Sequence, residues 1–185
     1  LKSFTTRPDN TNLWKGLAKQ TIKFQHALGE LIDNSLSASV PNTVGTGKQK
    51  TTVELVFEEF QDRNISMIVC DGGTGISQDL LSTDDKNIFN LGFQPPEKGH
   101  MNEHGFGLKN ALALLTNGFE TNFTLISRHL EQEQFLGVYG PISNQMDVHI
   151  CTFEEWNKGL RILTNATSGT KIDVTIKREY FNSIY

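Results

Sequence analysis

Glu30, Asp33 and Asn34 stand at positions i, i+3 and i+4 of a segment that reads as helix, so an acid, a second acid and a carboxamide share one face. Phe24, Ala27, Leu28, Leu31 and Ile32 form an apolar stripe at helical spacing, which seats the trio beside a core. Two acids and an amide aimed at one place suit a metal, a water and an anion. The bland alternative is a solvated helix face, and this helix alone weighs the two evenly.

Two glycine loops add to this. Gly105-Phe106-Gly107 stands just before Leu108, Ala111, Leu112 and Leu115, which recur at helical spacing, with Asn117-Gly118 as a C-cap. Unpaired N–H groups and the positive end of that helix dipole then point to where an anion, a phosphate chain above all, would sit. Asp71 ends a buried strand and is followed by Gly72-Gly73-Thr74-Gly75, so an acceptor-only carboxylate lies where backbone can approach a flat ligand closely. It can accept from the exocyclic amine of adenine. The carbonyl oxygen of guanine would leave it desolvated and unpaired, at a cost of about 1–3 kcal/mol or more. The bland readings are a turn-capping aspartate for Asp71, a flexible loop at Gly105 and Gly107, a surface lysine for Lys109 and a plain strand residue for Thr170.

Familiar phosphate loops are missing. There is no G-x-x-x-x-G-K-[ST] stretch, and positions 78 and 110 hold Gln and Asn where G-x-G-x-x-G would need its third glycine. No H-R-D or D-F-G pair supports a protein-kinase reading either.

The elements that must position these residues follow from pattern. Residues 12–40 read as helical up to Pro41, and a Gly-, Thr- and Lys-rich loop spans 42–50. Val53, Leu55 and Phe57 alternate with polar neighbours and pair as a hairpin with Ile65 to Cys70 across Asp62-Arg63-Asn64. One or two short helices are expected over 77–91, and strands over 123–127, 134–138, 148–153 and 172–176, with a helical turn at Glu154-Glu155-Trp156. The order predicts an α+β two-layer sandwich with helices on one face of a mixed, mostly antiparallel sheet. Its other face is either exposed or covered by something outside this sequence.

At 185 residues and 37% hydrophobic content, one globular domain over 1–185 is expected. A net charge of -4 argues against a surface built chiefly for nucleic-acid phosphates, though it leaves a local basic patch open. Cys70 and Cys151 lie in separate apolar stretches, which suits core thiols in a reducing compartment. No apolar run approaches membrane-spanning length, and the start at Leu1 shows no leader. A fragment of a longer intracellular protein, cytoplasmic or nuclear, is the expectation.

Glu30-x-x-Asp33-Asn34, Asp71-x-Gly73-x-Gly75, Gly105-x-Gly107 and Gly169-Thr170 resemble, in order and on the expected elements, the four boxes of the GHKL ATPase superfamily with its Bergerat fold. That group includes gyrase B subunits, mismatch-repair ATPases, ninety-kilodalton heat-shock chaperones and sensor histidine kinases. Glu-Leu-Ile-Asp-Asn-Ser and Gly-Phe-Gly-Leu-Lys-Asn are most similar to the microrchidia and heat-shock branches.

The resemblance implies ATP and Mg²⁺ as ligands and a role for each residue. Glu30 would be the base or orienter for the water that attacks the γ-phosphate, and Asn34 would offer its oxygen to Mg²⁺. Asp71 would read the adenine amine with Thr170 assisting through a water, while Gly73, Gly75 and Ile76 line the base. N–H groups across Gly105, Phe106, Gly107, Leu108 and Lys109 would wrap the phosphates, and residues 84–104, with Lys98 and His100, would form a lid. Asp33 would support the adenine end. It further implies ATP-dependent homodimerisation and a C-terminal transducer-like domain beyond Tyr185 that supplies a phosphate-contacting lysine. The client stays unnamed and nucleic acid stays open as a partner. A histidine-kinase catalytic domain and a non-hydrolysing nucleotide sensor are the alternatives. Kinase members carry Asn where this chain has Glu30.

Overall fold

The computed structural model describes residues 10–20, 22–38, 52–90, 93, 106–142 and 145–185. The loop expected over 42–50 lies outside them. The helix expected over 12–40 divides into α1 (Asn10–Ala18) and α2 (Phe24–Ser37). Trp14 and Leu17 of α1 pack with Ala113 in a small cluster of their own, whereas Phe24, Ala27 and Leu31 of α2 enter the main core. One apolar stripe with two destinations must bend. Turns in which Lys19 and Gln20 donate to the carbonyls of Gly16 (3.2 Å) and Leu17 (3.1 Å) supply the bend.

β1 (Val53–Glu59) and β2 (Ile65–Asp71) form the expected antiparallel hairpin. Its turn works because Arg63 takes a left-handed φ of 64° and the Asp62 carboxylate accepts from the Asn64 backbone at 3.0 Å and its side chain at 2.7 Å. β3 (Phe123–Arg128), β4 (Phe135–Tyr139), β5 (Val148–Cys151) and β6 (Gly169–Ile176) complete a six-stranded sheet of order β1-β2-β6-β3-β4-β5. Every pairing in it is antiparallel, so the parallel component of the expected mixed sheet is not seen among the described residues. The α+β sandwich itself is as expected.

Alternation along the strands sends Met67, Val69, Leu125, Ile172 and Val174 to the helix side. There they meet α2 and, beyond the short expected helix α3 (Gln78–Ser82), α4 (Gly107–Leu115), through Leu31, Leu112 and Leu115. Asn117 (φ 51°) and Gly118 (φ 67°) end α4 as their types suggest, with Gly118 donating to the Ala113 carbonyl at 2.7 Å. A short helix not foreseen from pattern, α6 (Arg178–Ile184), follows β6. It places Tyr180 Oη 2.7 Å from the Leu114 carbonyl and Phe181 edge-on to Phe24.

The second sheet face is covered by a segment of the chain itself. Val56, Ile68, Cys70, Ile126, Phe135 and Cys151 pack against Trp156 and Leu160, from the segment joining β5 to β6. That segment carries α5 (Phe153–Asn157), started by a Thr152/Glu155 capping box. Two buried charges staple it. Lys171 Nζ donates to the carbonyls of Glu155 (2.6 Å), Trp156 (2.6 Å) and Lys158 (3.2 Å). Glu54 accepts from the backbone N–H groups of Arg161 (2.6 Å), Ile162 (3.0 Å) and Leu163 (2.8 Å). Glu54→Ala leaves those donors without their acceptor and is expected to lower stability by about 1–3 kcal/mol, read from urea unfolding. A midpoint equal to the parent's would contradict the staple.

Both cysteines are free and buried, in line with core thiols. Among the described residues no helix is long and apolar enough to cross a membrane.

Candidate functional site

α2 links two polar places. At the first, Glu30 meets the N-terminus of α4: a methyl built on Gly107 would lie 2.1 Å from Glu30 Oε2, so only glycine lets this carboxylate approach the helix so closely. Phe106 provides no side-chain cap there. The first N–H groups of α4 have no partner within the helix, and its dipole is positive at the same point. An exposed carboxylate thus faces a cluster of backbone donors suited to an anion.

The second place is built around Asp71, at the end of β2 and only 2% exposed. Its carboxylate accepts from the Gly73 backbone at 2.9 Å, and the Ser35 side chain and the Thr170 backbone also donate to it. Burial pushes the carboxyl up to about 6, while these three hydrogen bonds pull it down. Ser35 lies five residues after Glu30 on α2. The helix therefore spans the two places with about 7.5 Å of rise.

Backbone packing explains Gly73 and Gly75 in the loop after Asp71. A methyl on Gly73 would come 2.3 Å from the Ala38 carbonyl, which already accepts from Thr74 N–H at 2.7 Å beyond the end of α2. Gly75 has a left-handed φ of 71°, and a methyl there would meet the Arg128 carbonyl at 2.0 Å. The loop is thereby pinned between α2 and β3. Ser168 Oγ adds a bond to the Gly73 carbonyl at 2.8 Å.

Asp71, Thr170 and Ser127 lie side by side across β2, β6 and β3 in the ladder register. Ser127 Oγ accepts from Ile76 N–H at 2.8 Å, lies 2.9 Å from the Gly169 carbonyl and 3.0 Å from Thr170 Oγ1. It therefore ties Ile76 and Thr170 together next to Asp71.

The structure thus brings Glu30, Phe106 and Gly107 to one place, and Asp71, Gly73, Gly75, Ile76 and Thr170 to another. Asn34 and Asp33 are half-buried on α2 between them. Leu108 packs against the main core from the first turn of α4. Lys109 is not the surface lysine of the bland reading: it is 2% exposed, and burial lowers its ammonium to about 8. Gly105, Lys98 and His100 lie outside the described residues. Of the span 84–104, residues 84–90 belong to the body, since Phe89 is buried in the main core with its ring 5.9 Å from that of Phe123.

Sequence reasoning overlooks Ser35 and Ser127. Each carries the same signal, a polar residue in an apolar register. Ser35 continues the stripe Phe24, Ala27, Leu31, and Ser127 continues the inward set Phe123, Leu125. A hydroxyl in such a position needs a partner, and here the partners are site residues.

Comparison with curated proteins gives no match. Residues 19–180 match the family described as histidine kinase-, DNA gyrase B- and HSP90-like ATPase, a GHKL-type ATP-binding domain. The match spans α2, the Asp71 loop, α4 and β6, the elements that carry both polar places, and the chain belongs to this ATPase family.

Proposed function

We infer that the chain binds ATP between the two polar places and hydrolyses it to ADP and phosphate with Mg²⁺. The observation that carries this reading is the Glu30 carboxylate against Gly107 at the start of α4, where Phe106 gives no side-chain cap, on the helix whose Ser35 reaches Asp71. Adenine would sit at Asp71 with its amine donating to the carboxylate. The phosphates would run toward α4, whose N–H groups and dipole offset their charge. Glu30 would then hold or deprotonate the water that attacks the terminal phosphorus.

Asn34 fits the metal, being a carboxamide oxygen on the same helix one turn from Glu30. Mg²⁺ held there would offset negative charge on the phosphates. Lid closure, dimerisation on ATP and a place in the microrchidia or heat-shock branch are the finer parts of this proposal. They rest on the motif resemblance.

Calorimetry with ATP, GTP and a non-hydrolysable ATP analogue, with and without Mg²⁺, tests the binding. ATP should bind with a Mg²⁺-dependent gain and GTP at least about tenfold more weakly. Equal affinity for GTP would refute the role of Asp71. Labelled ATP separates the alternatives, since phosphate release favours the ATPase, phosphohistidine favours the kinase, and binding without turnover in the full-length protein favours a sensor.

Gly107→Ala probes the closest contact in the site. The new methyl must displace the Glu30 carboxylate. Turnover should fall about tenfold or more, with ATP affinity reduced less, because a misplaced base costs rate before it costs binding. Unchanged turnover would show that the position of Glu30 against α4 does not matter.

A further inference from the structure

We propose that Ser127 is a specificity-determining positioning residue: it commits the hydroxyl hydrogen of Thr170 to the interior, so that Thr170 offers only lone pairs to a ligand beside Asp71. This rests on the ATP reading and goes beyond it in naming what excludes 6-oxo purines.

Donors and acceptors around Ser127 leave one arrangement of hydrogens. A serine hydroxyl has one hydrogen and two lone pairs. Ser127 is fully buried and has three polar neighbours. Ile76 N–H can only donate, so at 2.8 Å it takes one lone pair. The Gly169 carbonyl can only accept, so at 2.9 Å it takes the hydrogen. The remaining lone pair faces Thr170 Oγ1 at 3.0 Å, and only the Thr170 hydrogen can complete that contact. If Ser127 donated to Thr170 instead, its lone pair would face the Gly169 carbonyl with no proton between them, deep in the protein.

The Thr170 hydroxyl is then an acceptor toward a ligand beside Asp71. Next to it in register stands Asp71, ionised and likewise an acceptor. A ligand edge, or a water bridging to it, must bring hydrogens to both. The 6-amino group of adenine carries two hydrogens. The 6-oxo group of hypoxanthine or guanine carries none, and the edge then brings only the N1 hydrogen beside it, one donor for two acceptors.

Ser127→Ala removes the acceptor of the Thr170 hydrogen, and that hydroxyl can turn and donate to a 6-oxo group. The experiment compares dissociation constants of ATP and inosine triphosphate, which differ in the purine at positions 1 and 6, at pH 8. The parent should prefer ATP, and Ser127→Ala should narrow the ratio about tenfold, chiefly by tighter inosine triphosphate binding. Thr170→Val should narrow the ratio as well, which keeps the test open if Ser127→Ala does not fold. Adding Ser127→Ala to Thr170→Val should leave the ratio where Thr170→Val put it. A proportional loss for both nucleotides, with the ratio unmoved in either single variant, would overturn the role of Ser127 while leaving ATP binding intact. A further shift in the double variant would also overturn it. A parent chain that binds neither nucleotide overturns the ATP reading itself.

Discussion

Glu30→Gln is expected to lower ATP turnover about 10²–10⁴-fold, the contribution typical of a positioned general base. ATP affinity should stay within about threefold, because a group that acts on the attacking water contributes mainly in the transition state. The size of the effect follows from place. Glu30 is exposed at the mouth of the site, makes its close approach to Gly107, and is not among the residues that anchor the core. The amide keeps the shape and the helix, so circular dichroism and the unfolding midpoint should match the parent. A variant that binds ATP normally and turns it over normally would remove Glu30 from the chemistry. A variant that loses binding would assign it to the phosphates instead.

Asp71→Asn should weaken ATP binding about 10–10²-fold, the equivalent of about 1.5–3 kcal/mol for a hydrogen bond to a charged group. The carboxylate accepts from Gly73, Ser35 and Thr170, and an amide would have to turn its NH₂ toward one of these donors. The same residue makes binding depend on pH. Its carboxyl titrates near 6 in the free protein because burial disfavours the charge. The amine of adenine needs the ionised form, so affinity should be level above about pH 7. It should fall about tenfold for each unit well below 6.

The effect on folding has the opposite sign. Between the ordinary value of 3.8 and the folded value of about 6, the native state holds a proton that the unfolded chain has released. The stability this contributes is full below the lower value and is lost as pH rises through the upper one. Asp71→Asn should flatten that part of the stability profile and abolish the acid loss of ATP affinity together. An affinity that holds level from pH 8 to pH 5 would contradict the assignment of Asp71.

Much of this arrangement is visible in the chain itself. Glu30, Asp33 and Asn34 are read from helical spacing, the hairpin from alternation and an Asp-Arg-Asn turn, and α4 from its leucines and an Asn-Gly stop. Local chemistry decides these elements. The break between α1 and α2 is not legible, since Ala18 to Lys23 contains neither Gly nor Pro. What bends the chain there is the separate burial of Trp14 and Phe24, a tertiary effect. Glu54 and Lys171 are equally silent in sequence, because their partners are backbone groups about 107 and 15 residues away. Lys109 reads as a surface residue by type and is buried by its helix phase. Ser35 and Ser127 are the instructive omissions. Both stand at apolar register positions, and they connect the elements around Asp71.

The central claim is that one ligand occupies both polar places at once, purine at Asp71 and terminal phosphate at Glu30. The most direct measurement is a crystal structure with Mg²⁺ and a non-hydrolysable ATP analogue. The 6-amino group is expected within hydrogen-bonding distance of the Asp71 carboxylate. The terminal phosphate is expected at the N–H groups that open α4, with Glu30 beside it. A nucleotide bound elsewhere, or reversed so that phosphate lies against Asp71, would contradict the claim.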